Sequence, residues 1–342
     1  MKFEQLKKYL KEQGYPGYRT AQVREAVFER MISGWDEAGV LPEKLRRDLA
    51  KNFPILSFAA KKVLSSAEGN AHKALLVLAD KVKIETVLMN TFKNNWSVCV
   101  STQVGCPVRC SFCATGKRGF KRNLHAEEIT DQVLFWNQYV VKHGIAERIS
   151  SVVFMGMGEP LLNYAATVKA VRDLSDPDYL NIGHRHISVS TSGHAEKIRA
   201  FALELPQVNL AVSLHTAIDA ERDELVPINR RYNLAALRDA LQYYLAKTGR
   251  QLFIEYTVIG GVNDTHKHIR LLNEWIKAIP NHYLIHINLI ACNPADGTEP
   301  SPAARAGLDD FAAALTGCGL SVSVRRSLGG DIAGACGQLA GR

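Results

Sequence analysis

Cysteine is scarce in this chain, long apolar runs are missing and acidic side chains are outnumbered, and each shortage removes a class of protein. Seven cysteines in 342 residues are too few to staple a chain of this size as a disulfide framework. No apolar run approaches the ~20 residues that a helix needs to cross a bilayer. The start, Met1-Lys2-Phe3-Glu4-Gln5-Leu6-Lys7-Lys8, mixes charges where a signal peptide would carry its apolar core. These absences point to a cytoplasmic protein with no membrane segment, in a compartment where thiols stay reduced. No internal repeat or low-complexity segment occurs, although Ala303 to Ala314 is alanine-rich at helical spacing. Lysine and arginine exceed aspartate and glutamate by 42 − 34 = 8, which favours a polyanionic partner without identifying it. The excess is clustered at Lys117, Arg118, Lys121 and Arg122, at Arg230 and Arg231, and at Arg325 and Arg326; any one pair reads equally well as a solvated face.

Residues 1 to about 75 read as helical. Phe3, Leu6 and Leu10 recur at helical spacing, Val23, Ala26 and Val27 repeat the pattern, and Pro42 opens a third helix carrying Leu45 and Leu49. Gly14, Pro16 and Gly17 punctuate the first two. With several basic side chains and no catalytic constellation, the segment reads as a small accessory domain, either for RNA docking or for packing. Leu75 to Leu78 and Lys83 to Met89 follow as strands joined by a charged turn, which puts the domain boundary near residue 80.

From Ser97 onward β-rich runs alternate with helical patterns. Strands are expected at 97–102, 149–156, 186–191, 208–214, 252–259, 284–291 and 320–325, with helices near 126–142, 164–174, 194–204, 233–247, 264–278 and 305–316. That alternation predicts an α/β chain of parallel strands with right-handed crossovers. Ligands gather at the carboxyl ends of such strands, and the unusual residues fall there. A cysteine loop follows the first strand of the series; Met155-Gly156-Met157-Gly158-Glu159-Pro160 follows the second. Ser190-Thr191-Ser192-Gly193 ends the third, Ser213-Leu214-His215 ends the fourth, and Asn293-Pro294 follows the sixth.

The cysteine loop, Gly105 to Gly119, places Cys106, Cys110 and Cys113 within eight residues. A straight helix or strand would spread them over different faces, so they converge only from a loop. Structural zinc wants four ligands, usually as two Cys-x-x-Cys pairs, and this chain has no second pair. A four-iron cube held by three cysteines leaves one iron free to bind something else, which makes iron–sulfur the favoured reading over zinc or three inert buried thiols. An open-iron cluster suggests one-electron chemistry on a bound cofactor.

Cys-x-x-x-Cys-x-x-Cys with an aromatic residue, Phe112, before the last cysteine resembles the radical SAM superfamily signature. Four further stretches resemble the RlmN/Cfr family of 23S rRNA adenosine methyltransferases: Cys99 to Cys106, Gly119 to Leu124, Met155 to Asn163, and Ala335 to Gly341. Weaker similarity at Tyr18-Arg19 and Val40-Leu41-Pro42 extends the resemblance over nearly the whole chain. It implies a partial (β/α)6 TIM-like radical SAM barrel over residues 81–326, preceded by the helical accessory domain at 1–80 and followed by a C-terminal segment at 327–342.

The resemblance also implies the chemistry. A [4Fe-4S] cluster on Cys106, Cys110 and Cys113 binds S-adenosylmethionine, of which two are used per turnover. The first methylates a C-terminal cysteine, matched here by Cys336. The second gives a 5′-deoxyadenosyl radical that removes hydrogen from the S-methyl group, because an sp2 carbon of adenine is too weak a nucleophile for direct transfer. The resulting radical adds to the base, and Cys99 matches the cysteine that resolves the protein–RNA adduct by forming a Cys99–Cys336 disulfide. Glu85 aligns with the proton acceptor of the C2-methylating branch. Gly158, Glu159, Ser190, Ser213, Leu214, His215 and Asn293 match the cofactor-binding positions, although each alone also reads as an ordinary turn, strand or loop residue. The implied partners are 23S rRNA, tRNA as a second substrate, and a reducing donor such as flavodoxin or ferredoxin; the chain is expected to be a monomer.

Glu159 to Asn163 favours C2 over the Cfr-type C8 methylation that confers antibiotic resistance, while Glu128 to Leu134 resembles the C8 branch as well. A non-catalytic RNA-binding iron–sulfur protein would need neither Cys99 nor Cys336. Cys292 and Cys318 match nothing in the mechanism and read as buried spectators. The family usually has Asp-Ala before Ala-Cys-Gly-Gln-Leu; here Ala333-Gly334 follows Asp331-Ile332, and glycine is expected to loosen the segment that delivers Cys336.

Overall fold

The computed structural model describes residues 1–92, 95–293 and 302–341; Pro294 lies outside them. The chain begins with α1 (Phe3–Glu12) and α2 (Tyr18–Arg24), which runs into a π-helical turn, Glu25–Glu29, and then with α3 (Glu43–Asn52) after Pro42. Phe3, Leu6, Leu10, Val23, Leu45 and Leu49 are the buried stripe that the 3.6-residue period anticipates.

Four antiparallel strands follow: β1 (Phe58–Ser65), β2 (Ala71–Leu78), β3 (Lys83–Phe92) and β4 (Asn95–Cys99). The helical reading of residues 1–75 therefore fails after Asn52. Phe58-Ala-Ala-Lys-Lys-Val-Leu-Ser is locally a good helix sequence, but pairing with β2 from Phe58↔Leu78 to Ser65↔His72 overrides propensity. β1 is an edge strand with an irregularity between Ala60 and Lys62, and its exposed lysines suit that position.

β5 (Gln103–Gly105) and β6 (Phe120–Asn123) form a separate two-stranded ribbon around the short α4 (Ala114–Lys117). The repeating part is then α5 (Ala126–Lys142), β7 (Ser151–Phe154), α6 (Tyr164–Ser175), β8 (Ile187–Thr191), α7 (Ala195–Glu204), β9 (Asn209–Ser213), α8 (Asp219–Leu225), α9 (Leu234–Thr248), β10 (Leu252–Val258), α10 (His266–Lys277), β11 (Ile285–Ala291), α11 (Pro302–Gly317) and β12 (Ser321–Arg325). The main sheet has the order β1-β2-β3-β4-β7-β8-β9-β10-β11-β12, parallel from β4 to β12. Its two ends do not pair with each other among the described residues, so the barrel is partial.

α5 joins the helical start to the sheet. Its Trp136 is fully buried and donates through Nε1 to Thr86 Oγ1 at 3.2 Å on β3. Gln138 Nε2 donates to Ile32 O at 2.6 Å, and Asp131 accepts from Ser57 N at 2.8 Å. No helix among the described residues is long and apolar enough to cross a membrane.

Candidate active site

The cysteine loop is closed at its base by the β5–β6 ribbon. Gly105 has φ +76° and a Cβ there would stand 1.8 Å from Gly119 O, while Cys106 N donates to that oxygen at 3.2 Å. Inside the loop Arg109 takes a left-handed φ of +61°, and Cys113 N donates to Cys110 O at 3.2 Å. These turns bring Cys106, Cys110 and Cys113 to one wall of a cavity of about 170 Å³. Gly105→Ala is expected to open the loop and lower iron per chain after reconstitution by more than half, through a clash added to left-handed strain of about 1–3 kcal/mol. Full iron loading would show that the loop tolerates the methyl group.

Burial pushes the Cys106 thiol up to about 12 and the Cys110 thiol well above its ordinary value, with the neighbouring cysteines and Glu159 adding to the rise. Among the described residues no three His, Cys, Asp or Glu side chains converge as they would on a single ion. Three thiols lining one cavity are the donor set of a four-iron cube that keeps one iron open.

The loop after β7 is stitched to β5. Met157 O accepts from Thr102 N and Gln103 N at 2.8 and 3.1 Å. Gly158, at φ +108°, allows this approach, since a Cβ would lie 2.6 Å from Gln103 Cβ. Glu159 N donates to Gln103 Oε1 at 2.8 Å; its carboxylate accepts from Leu161 N at 3.0 Å through Oε1 and from Ser192 N and Oγ at 2.7 Å each through Oε2. Burial holds this carboxyl above the usual range and the hydrogen bonds oppose it.

Ser190, Ser213, His215 and Asn293 also line the cavity. Leu214 does not: its side chain is in the core and its N–H donates to Glu255 O at 3.0 Å. His215, at φ +63°, accepts from Thr257 N at 2.9 Å through Nδ1, which leaves the proton on Nε2. Burial, then the Arg222 charge, lowers it to about 3, so the ring is neutral. Phe112 meets it edge-on with centroids 4.7 Å apart.

Arg222 is fully buried beneath this rim. Its guanidinium donates to Leu214 O at 3.1 Å, Asn229 Oδ1 at 2.9 Å, Ser192 O at 2.6 Å and Ser213 O at 3.1 Å, tying the ends of β8 and β9 together. Burial lowers it to about 10, and the charge of Cys110 works in the other direction. Sequence reasoning missed it, because Asp219-Ala-Glu-Arg222-Asp-Glu reads as a solvated charge run.

The C-terminal segment contributes Cys336 and Gly337 to the cavity lining. Asp331 Oδ2 accepts from Ala67 N at 2.9 Å, Lys73 Nζ donates to Ala333 O at 3.2 Å, and Asn293 Nδ2 donates to Cys336 O at 3.1 Å. Ala114 N donates to Gly337 O at 2.8 Å and Thr115 Oγ1 to Leu339 O at 2.6 Å, directly after Cys113. The substitution at 333–334 does not leave the segment loose: Ala333 adopts φ +50°, and Gly334 N closes a turn on Gly329 O at 2.8 Å.

Glu85 is fully buried on β3 and lies outside the cavity lining. Its Oε2 accepts from Ala340 N at 2.6 Å and Gly341 N at 2.9 Å, and Lys73 Nζ stands 3.1 Å from Oε1. In this structure it holds the tail.

Cys336 presents its surface to the cavity. The walls around it are protein rather than open water, and this, then the Glu255 carboxylate, pushes its thiol up. Cys99 is buried at the end of β4, outside the lining, and is pushed up by burial and then by the charge of Cys336. Cys292 is not a buried spectator: following β11 at the rim, it is half-buried and lines the cavity. Cys318, also half-buried, lies after α11 and away from the cavity. Glu255, which escaped the sequence reading, also lines the cavity, as does Arg325, read there only as one of a basic pair. Glu255 did leave a signal, a lone charge in the apolar strand Leu252-Phe-Ile-Glu-Tyr-Thr-Val258.

Lys117, Arg118, Phe120 and Lys121 are exposed beside the cysteine loop, whereas Arg122 is spent on Asp80 and Glu128 at 2.7 and 2.8 Å.

The Radical SAM superfamily model matches residues 100–272. A protein of Carboxydothermus hydrogenoformans called a probable dual-specificity RNA methyltransferase RlmN is 40% identical over 336 residues, covering 98% of this chain and 95% of the relative. One from Staphylococcus aureus with the same description is 41% identical over 339 residues, covering 99% and 91%. The crystal structure of a radical SAM methyltransferase from Sphaerobacter thermophilus superposes with a TM-score of 0.92 at 38% identity, covering 100% of this chain and 98% of the other.

Proposed function

The chain belongs to the RlmN-type radical SAM RNA methyltransferases, and from that premise we propose that it methylates C2 of an adenosine in 23S rRNA, with tRNA as a second substrate, through a methyl group carried on Cys336. The observation that carries the reading is that Cys336 and the cysteine triad line one cavity.

In this reading Cys106, Cys110 and Cys113 hold the [4Fe-4S] cluster and leave one iron for S-adenosylmethionine. Bound there, the pair supplies a methyl group to a thiol and, with a second S-adenosylmethionine, the hydrogen abstraction that makes that methyl reactive toward an sp2 carbon. Gly158, Glu159, Ser190, Ser213, His215 and Asn293 bind the cofactor, and Leu214 contributes through its backbone. The sulfur of Cys336 carries the one-carbon unit to the base. Cys99, as its thiolate, attacks that sulfur; the carbon–sulfur bond breaks with its electron pair on the carbon, which takes up a proton to become the methyl group, and a Cys99–Cys336 disulfide remains for an external reductant. Glu85 takes the proton lost from C2, which requires the tail to shift and free its carboxylate. The target nucleotide has to be unstacked to reach the cavity, and the exposed Lys117, Arg118 and Lys121 with Phe120 suit a single-stranded segment. A reduced flavodoxin or ferredoxin serves as electron donor to a cytoplasmic monomer.

Mass-spectrometric mapping of 23S rRNA and tRNA treated with the reconstituted enzyme tests the product, and a methyl at C8 in place of C2 overturns the regiochemistry. Cys99→Ala tests the resolving step. The variant is expected to accumulate a covalent protein–RNA species with at least about 100-fold less free methylated RNA, because the uncatalysed release lacks a positioned thiol. Recovery of free RNA alone would sink that role.

A further inference from the structure

Glu255 stands on β10 in register with Ser213 on β9 and Asn288 on β11, and lines the same cavity as Cys336. It is 4% exposed. Its Oε1 accepts from Asn288 Nδ2 at 2.8 Å and has an Arg325 nitrogen 3.9 Å away. The Arg325 side chain is about half exposed, so water screens much of its charge. The other oxygen, Oε2, is buried and has no hydrogen-bond partner among the described residues. A buried carboxylate oxygen left unpaired is costly and calls for an explanation.

The other acid–base groups of the cavity wall are committed. Both oxygens of Glu159 accept backbone or hydroxyl hydrogen bonds. His215 already accepts at Nδ1 and is a very weak base. Glu85 is outside the cavity and holds the tail.

We propose that Glu255 is the proton acceptor for the Cys336 thiol in the step that loads the methyl group onto that sulfur. The assignment rests on the carrier reading of Cys336. The S–H proton passes to Glu255 Oε2, the sulfur bonds the methyl carbon, and the sulfonium of S-adenosylmethionine loses that carbon and keeps the electron pair as a neutral thioether. No oxidant or reductant is consumed. A cation and an anion enter the step and neither survives it, which suits a cavity where a lone charge is poorly solvated. Burial, opposed by Arg325 and Asn288, raises the Glu255 carboxyl above the usual carboxylate range and makes it a stronger base than a solvated glutamate. The groups that face Cys336 are Glu255 on β10, Cys113 in the loop, Arg325 on β12 and Cys99 at the end of β4; the first two raise its thiol and Arg325 opposes them. Little thiolate therefore forms at neutral pH unless a neighbour takes the proton.

Two measurements on full-length E255Q and E255D test the assignment. In the cofactor-free chain, alkylation of Cys336 by iodoacetamide against pH reads the thiol itself. Replacing the carboxylate by an amide removes a neighbouring negative charge, so the midpoint moves down by on the order of one pH unit. In the reconstituted enzyme with S-adenosylmethionine and no RNA, the rate of S-methylation of Cys336 falls about 100-fold at neutral pH in E255Q, climbs as the pH rises, and is largely restored in E255D. A merely disturbed site would not make the thiol more reactive toward iodoacetamide and less reactive toward the sulfonium. An unmoved alkylation midpoint, or an E255Q methylation rate equal to wild type, overturns the assignment alone. A wild-type chain that never gains a methyl group at Cys336 overturns the carrier reading and this assignment with it.

Discussion

Cys336→Ala is expected to yield no methylated adenosine while retaining iron and the reductive cleavage of S-adenosylmethionine. Its side chain lines the cavity, so truncation enlarges an existing space rather than opening a new one in the core. The tail around it is held through backbone and other side chains: Asn293 reaches the Cys336 carbonyl, and Glu85 reaches Ala340 and Gly341, none of which the substitution removes. The loss is thus chemical, the removal of the sulfur that the tail brings into the cavity of the triad. Measured turnover at more than a few per cent of wild type would show that the methyl group travels by another route. A parallel fall in iron content would instead assign Cys336 to cluster stability.

Arg222→Met is expected to be the most damaging substitution outside the cysteines. Four acceptors, on Leu214, Asn229, Ser192 and Ser213, would lose a buried donor at once. Each unpaired buried group costs about 1–3 kcal/mol and the sum is less than additive, so about 3 kcal/mol is a reasonable total. That corresponds to a Tm lower by about 4 °C for a chain of 342 residues. The site suffers twice, because the guanidinium is also a positive charge felt by Cys110, and a thiolate-bound cluster loses that counter-charge. Arg222→Lys keeps the charge but not the fork, and is expected to fall between the two in Tm while retaining more iron. Unchanged Tm and iron in Arg222→Met would remove the residue from both roles.

The repeating part of the fold was legible because a parallel strand covered on both faces is written as an apolar run, and its helices carry a wide apolar stripe. Strands expected at 186–191, 252–259 and 284–291 occupy 187–191, 252–258 and 285–291. β1 was not legible, since its alanines and lysines take strand form only once β2 lies beside them. The site was legible where chemistry demands a residue type: three cysteines, a Gly-Glu pair, a cysteine near the end. It was illegible where a common residue acquires its role from its neighbours. Arg222 looks like any arginine of a charged helix until the carbonyls around it are seen, and the grip of Glu85 on the tail needs a contact across 255 residues of sequence.

That distance has a consequence for how the molecule is made. The tail is anchored to Ala67 across 264 residues, to Lys73 across 260, and to Thr115 across 224. Contacts that span so much sequence close late in folding, after the local strands and helices they join. The cysteine loop, whose turns are local, therefore forms before the distant segment around Cys336 settles beside it. Insertion of a cluster has a more open approach before the segment around Cys336 docks, and docking narrows it.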